Sequence, residues 1–241
     1  MRSVFMKSSV IVIGASGGIG SGVVASLLAE GYPVVAVGRH RDTLLNLADR
    51  LGRPAALTLL TASVESDSGA KDLVQQLVAL RRRFAGAVVA IGPEADCGRL
   101  LDRDGIFLED HLHAHVVAQF NAARALIPLF AQHSPNALYL GIASAATEHP
   151  WCGYGHFSVT NAALRMLAKV VHGESRDLPV RVQQLALAGL VRTWRNGDCA
   201  CSEWMDVDSV GRGVIDLLQH SDGSAAVVHL RAGGSPEPVP D

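Results

Sequence analysis

Long apolar runs are missing from this chain, although 49% of its 241 residues are hydrophobic. No stretch approaches the ~20 consecutive apolar residues that a membrane-crossing helix needs, so no membrane partner is expected. The start, Met1 to Lys7, leads into a short apolar run at 10–13 and then straight into a glycine loop. A secretory leader needs a longer apolar stretch and a small-residue cleavage site. The expected location is therefore cytoplasmic.

An excess of charge of one sign is also lacking. Lysine and arginine number 21 against 23 acidic residues, a formal net charge of −2, which gives no long-range pull toward nucleic acid or an anionic surface. The one basic run, Arg81-Arg82-Arg83, precedes a strand pattern and reads as the solvated end of a helix. Cysteine is scarce: Cys97, Cys152, Cys199 and Cys201 form no dense framework, and Cys199 and Cys201 lack the second pair that a zinc site needs. His111, His113 and His115 alternate; on a helix His111 and His115 share a face, but no carboxylate of suitable spacing joins them. No metal site is expected.

What is present is alternation. Apolar or β-branched runs at 10–13, 33–37, 55–60, 87–91, 137–142, 180–187 and 225–230 read as strands. Helix-length segments at 20–30, 41–51, 68–84, 109–132, 157–176 and 209–220 lie between them. This pattern predicts an α/β fold, a Rossmann-type doubly wound parallel sheet of about seven strands with helices on both faces. One domain over 1–241 is enough, with the Gly/Pro-rich stretch 233–241 as a loose tail.

The first strand ends in Gly14-Ala15-Ser16-Gly17-Gly18-Ile19-Gly20, which opens a helix. Glycine lets the backbone turn tightly and approach a pyrophosphate, and the helix N-terminus offers unpaired N–H groups and a favourable dipole. A strand–glycine-loop–helix unit therefore predicts dinucleotide binding. The second strand ends in Gly38-Arg39-His40. An acid there suits the ribose of NAD(H), whereas Arg39 suits a 2′-phosphate, with Ser16 as an additional contact. NADP(H) is the expected cofactor, with NAD(H) as the alternative.

The glycine loop closely resembles the TGxxxGIG motif of the short-chain dehydrogenase/reductase family, and the likeness extends over nearly the whole chain. Ala143-Ser144-Ala145 resembles the family's serine segment, and Phe157 to Glu174 its active-site helix. Ala188-Gly189-Leu190-Val191-Arg192-Thr193 is similar to its PGxxxT segment, and Arg231-Ala232-Gly233-Gly234 to its terminal DGG. The resemblance implies hydride transfer between NAD(P)(H) and a small carbonyl or alcohol substrate. It also implies a homodimer or homotetramer built on the helices 109–132 and 157–176. By the same resemblance, Gly14, Gly17, Gly18, Ile19, Gly20, Gly189, Val191 and Thr193 would touch the cofactor. Ser63 and Val64 fall at the adenine segment, and Ile91 and Gly92 stand in the place of the family's NNAG.

The catalytic positions depart from the family pattern. The family's Asn-Ser-Tyr-Lys set aligns with His115, Ser144, Phe157 and Asn161, so only the serine survives. Phenylalanine exchanges no proton and asparagine carries no charge to tune one, although Asn161 retains groups able to bond a ribose. Candidate replacements for the acid are Tyr154, one turn before Phe157, His156 beside it, and His115 on the neighbouring helix. Trp151, Trp194 and Trp204 flank the expected substrate cleft, and 194–205 occupies the place of a substrate lid. Two readings stay open: an atypical oxidoreductase using Ser144 with one of those acids, and a catalytically inactive relative serving as a cofactor sensor or scaffold.

Overall fold

The computed structural model describes residues 7–92, 96–144 and 150–239. Residues 1–6, Pro93, Ala145 and 240–241, on which parts of the leader, loop, serine-segment and tail readings fall, lie outside the described residues. The chain runs β1 (Ser9–Ile13), α1 (Gly18–Ala29), β2 (Val34–Gly38), α2 (Arg41–Arg50), β3 (Leu57–Thr61), α3 (Asp67–Ala79) and β4 (Phe84–Val89). It continues through α4 (Gly105–Leu112), α5 (Ala118–His133), β5 (Leu138–Ser144), α6 (Gly155–Glu174), β6 (Arg181–Leu187), β7 (Val191–Arg192), β8 (Met205–Asp206), α7 (Val207–His220), β9 (Val227–Leu230) and β10 (Glu237–Pro238).

Eight strands form one sheet in the order β10-β9-β6-β5-β4-β1-β2-β3. Seven of them pair in parallel. Side chains alternate between the faces of each strand. Val10, Val12, Val34 and Ala36 pack with Val24 and Leu27 of α1, Leu47 of α2 and Val214 of α7. Ile11, Ile13, Val35 and Val37 pack on the other face with Leu73 and Leu77 of α3 and Leu126 and Phe130 of α5. Both faces being covered, the strands read as continuous apolar runs rather than as alternating ones. The order of connection reverses between β1 and β4, which opens a crevice at their carboxyl ends.

Three local expectations are corrected. The segment 68–84 is not helical throughout: α3 stops at Ala79, Arg81 takes a left-handed φ of 51°, and Phe84 enters β4, its ring 6.3 Å from that of Phe130. The long helix expected from 109 starts at Gly105, because the Asp104 carboxylate accepts the Phe107 N–H at 2.9 Å. A wide π turn, His113–Val117, separates α4 from α5. The tail is not wholly loose: β10 pairs antiparallel with β9, and Val239 N–H bonds Val227 O at 3.0 Å.

Candidate active site and cofactor cleft

The glycine loop sits at the switch point. Gly14 has φ +79°, and a Cβ there would collide with the Ala90 carbonyl at the end of β4. A Cβ on Gly20 would strike the Gly14 carbonyl, and one on Gly18 would lie 2.7 Å from Thr193 Oγ1. The loop is therefore closed by backbone on two sides and by the segment after β7 on the third. Helix α1 has no side-chain cap at Gly17, so its first N–H groups lack the partner a cap would supply.

Around this cradle, Ser16 Oγ lies 3.2 Å from Thr43 Oγ1. The exposed Arg39 guanidinium forms an ion pair with Glu65, a residue that nothing in the sequence singles out. Glu65 N–H also bonds Ser63 Oγ at 3.2 Å. Val64 is buried, its carbonyl accepting from Asn121 Nδ2 at 3.0 Å. Gln119 Nε2 donates to Ile142 O at 3.2 Å and to Ile91 O at 3.4 Å, joining the ends of β4 and β5. Ile19 packs against the core, Gly189 is exposed, and Val191 pairs with Met205. Gln119 and Asn121, which make the links between strand ends and to Val64, read only as helix positions in the sequence.

Three of the four positions matched to the family's set are joined through Asn161, while His115 meets Thr160 instead. Ser144 ends β5, and its N–H donates to Asn161 Oδ1 at 2.8 Å. Asn161 Nδ2 donates to Phe157 O at 2.8 Å, and the whole residue is buried. His115 Nδ1 meets Thr160 Oγ1 at 3.1 Å, and Thr160 Oγ1 donates in turn to Phe157 O at 3.3 Å. That order makes Nδ1 the protonated nitrogen and leaves a lone pair on Nε2, which lies 3.5 Å from where a Cβ on Gly92 would stand. Burial, then the neighbouring His111, pushes the His115 pKa down to about 4. His115 is therefore neutral at pH 7.

The first turn of α6 carries the other candidates. His156 is 2% exposed, and its Nε2 has no hydrogen-bond partner among the described residues. Its ring lies 4.4 Å from His111, 4.7 Å from Phe157 and 5.3 Å from Phe107, centre to centre. Burial, then His111, lowers its pKa. The rings of Tyr154 and Phe157 are 6.4 Å apart, and a hydrogen bond with Cys97 raises the tyrosine pKa. Tyr154, His156 and Phe157 are thus brought together, while His115 meets the next turn of α6 at Thr160. Cys97 reads as an ordinary loop thiol in the sequence; its distance along the chain hides its place beside Tyr154.

Trp194 packs on α1 instead of on these rings. Its Nε1–H donates to Ser21 Oγ at 3.0 Å, and Arg50 of α2 stacks 4.0 Å from the ring centre. A cleft of about 420 Å³ beside it is lined by Ser16, Thr43, Asn46, Asp49, Arg50, Trp194 and Arg195. The excursion 193–204 is tied at both ends by the β7–β8 pair and by the Arg192–Asp206 ion pair at 2.7 Å.

A family model described as short chain dehydrogenase matches residues 8–199. The chain belongs to the short-chain dehydrogenase/reductase family. An uncharacterised oxidoreductase of Mycobacterium tuberculosis is 28% identical over 187 residues, which cover 78% of this chain and 70% of that protein. One from Staphylococcus aureus is 24% identical over 186 residues, covering 76% and 78%. Among solved structures, a short-chain dehydrogenase/reductase from Mycobacterium ulcerans superposes with a TM-score of 0.80 at 21% identity, covering 97% of this chain and 93% of that one. A Shigella flexneri short-chain dehydrogenase complexed with NADP gives 0.80 at 18% identity, covering 97% and 100%.

Proposed function

We propose that the protein is an NADP(H)-dependent oxidoreductase of atypical catalytic make-up, acting on a small carbonyl or alcohol. One observation carries the reading: Gly14, Gly18 and Gly20 each stand where a Cβ would meet backbone or Thr193, at the switch point of the sheet. A tight glycine loop opening a helix at this point suits a pyrophosphate. Gly17, Gly18 and Ile19 would hold the pyrophosphate through N–H groups, Ser16 and Arg39 the adenosine end, and Ile91, Gly92, Val191 and Thr193 the nicotinamide half. The bound dinucleotide would supply or accept the hydride.

The chain's own residues would do the rest. Ser144, at the end of β5, orients the substrate oxygen. Tyr154 is the candidate donor: like any tyrosine it is protonated at neutral pH, and its raised pKa makes it a weaker acid than an ordinary one. His156 hides its nitrogen in a ring cluster, and His115 is neutral, a polar wall rather than an acid. A cytoplasmic homodimer, paired through α4–α5 and α6, completes the proposal. Exposed Val117, Phe120, Met166 and Val170 on those helices suit a second copy.

A second reading has its own support. Asn161 spends both ends of its amide on Ser144 and Phe157, as expected of a residue whose role has become structural. A cofactor-binding, non-catalytic protein would look the same. Calorimetric titration with NADPH and NADH, followed by NADPH consumption over a panel of carbonyl compounds, separates the two. Turnover that disappears in Ser144→Ala supports the oxidoreductase; tight NADPH binding without turnover across the panel supports the sensor. Binding of neither dinucleotide rejects both.

A further inference from the structure

The cations near the glycine loop differ in how much of their charge is already matched. Arg39 is paired with Glu65. Asp49, whose carboxylate lines the cleft beside Ser16, is paired with Arg53. Among the described residues Arg50 and Arg195 have no carboxylate partner, and both are held against Trp194, at 4.0 and 5.2 Å from the ring centre. Trp194 is itself fixed to the first turn of α1 through Ser21, whose hydroxyl also donates to Gly18 O at 3.0 Å.

Stacking on an indole leaves the N–H edge of a guanidinium free, and that edge matches two oxygens of a phosphate at once. The cleft therefore presents two unmatched guanidiniums on an aromatic platform, and Ser16, Thr43 and Asn46 add two hydroxyls and an amide to its lining. Its volume of about 420 Å³ accommodates a phosphoryl group with part of the sugar that carries it.

We propose that Arg50 and Arg195, stacked on Trp194, form a phosphomonoester subsite that sets the preference for a 2′-phosphorylated dinucleotide, with Arg39 in a lesser role. The inference rests on the cofactor reading above and extends it: a segment following β7, expected to cover substrate, instead reads the far end of the cofactor. Ser16 is the shared residue, lying in the glycine loop and in the cleft wall. Arg39, already neutralised by Glu65, adds less net charge at the ribose.

The test titrates wild type, Arg50→Gln, Arg195→Gln, Arg50→Lys and Arg39→Ala with NADPH, NADH and adenosine 2′,5′-bisphosphate, each variant first checked for an unchanged melting profile. Each glutamine variant removes one charge-assisted hydrogen-bonding group from the phosphate. NADPH binding should therefore weaken about tenfold or more, with NADH binding unchanged. Arg50→Lys should recover only part, because a lysine cannot bind bidentately. Arg39→Ala should cost less than either glutamine variant. Equal weakening of NADPH and NADH, or an unchanged NADPH preference, overturns the proposal. If wild type binds neither dinucleotide, the cofactor reading fails separately, and the bisphosphate decides the subsite. Bisphosphate binding that disappears in both glutamine variants keeps the subsite, and no binding rejects it.

Discussion

Asn161 Oδ1 accepts the backbone N–H of Ser144 at 2.8 Å, fastening the last residue of β5 to the second turn of α6. The same amide donates to Phe157 O, so one buried side chain satisfies two backbone groups. A buried donor left without an acceptor costs roughly 1–3 kcal/mol. Asn161→Ala should destabilise the protein by about that amount and lower the melting temperature by a few degrees, as read by calorimetry. Phe157→Tyr with Asn161→Lys restores the family's pair of side chains but removes the Ser144 acceptor. It should melt earlier than wild type. Any NADPH-dependent turnover that arises only in this double variant would identify a decayed catalyst.

The glycine cradle predicts a different kind of loss. Gly14→Ala asks an L-residue to hold φ +79° and drives its Cβ into the Ala90 carbonyl. Backbone on both sides leaves nothing flexible to yield. Gly20→Ala meets the Gly14 carbonyl in the same way. Either variant should lower the melting temperature and abolish NADPH binding in a titration. Gly18→Ala would set its Cβ against Thr193 Oγ1 and Cβ at 2.7 and 3.0 Å, and with Oγ1 bonded to Asn196 it should lower the melting temperature too.

Acid should weaken the fold through His115. Its pKa falls to about 4 in the folded state against an ordinary 6.5, so between those values the unfolded chain binds the extra proton. Stability is therefore full above pH ~6.5 and declines as pH falls toward 4, by about 3 kcal/mol at the lower limit. The lowered His156 pKa acts in the same direction. Urea unfolding at pH 7, 5.5 and 4.5 should show this slope, and His115→Gln should flatten it. A slope unchanged in the variant would remove His115 as its source.

How much of this is legible in the sequence depends on the range of the interactions. The seven parallel strands and the helices between them follow from local apolar runs, because both sheet faces are covered and most of the runs, β3 at the edge excepted, are buried. Gly14, Gly18 and Gly20 announce a tight loop because glycine has few other uses after a strand. The ends of helices are less visible. Asp104 caps through a bond to Phe107 that a periodicity count does not weigh, and Phe84 leaves its expected helix because β4 packs it beside Phe130. The site partners are hidden entirely. Thr160, Gln119 and Asn121 look like ordinary helix residues until α5 and α6 are laid beside the sheet. Glu65 and Arg195 matter only through what lies next to them in space.

The exposed apolar side chains on α5 and α6 invite a second copy. Phe120 and Met166 are 43% and 62% exposed, a costly arrangement for a lone molecule in water. Phe120→Glu should shift the protein from a dimer or larger assembly to a monomer in sedimentation experiments, with the fold intact by circular dichroism. A wild-type protein that sediments as a monomer at high concentration would remove this interface from the proposal.

Tyr154 offers the sharpest division between the two functional readings. A hydrogen bond with Cys97 holds its pKa above the ordinary tyrosine range, and like any tyrosine it is protonated at neutral pH. A positioned general acid is worth about 10²–10⁴-fold in rate. Tyr154→Phe should therefore lower turnover by that factor while leaving NADPH affinity unchanged, because the residue lies outside the proposed cofactor contacts. Cys97→Ala should keep most activity but move the alkaline limb of the pH–rate profile downward, since the partner that raises the tyrosine pKa is gone. Full activity in Tyr154→Phe would exclude it as donor, leaving Ser144 alone at the substrate oxygen.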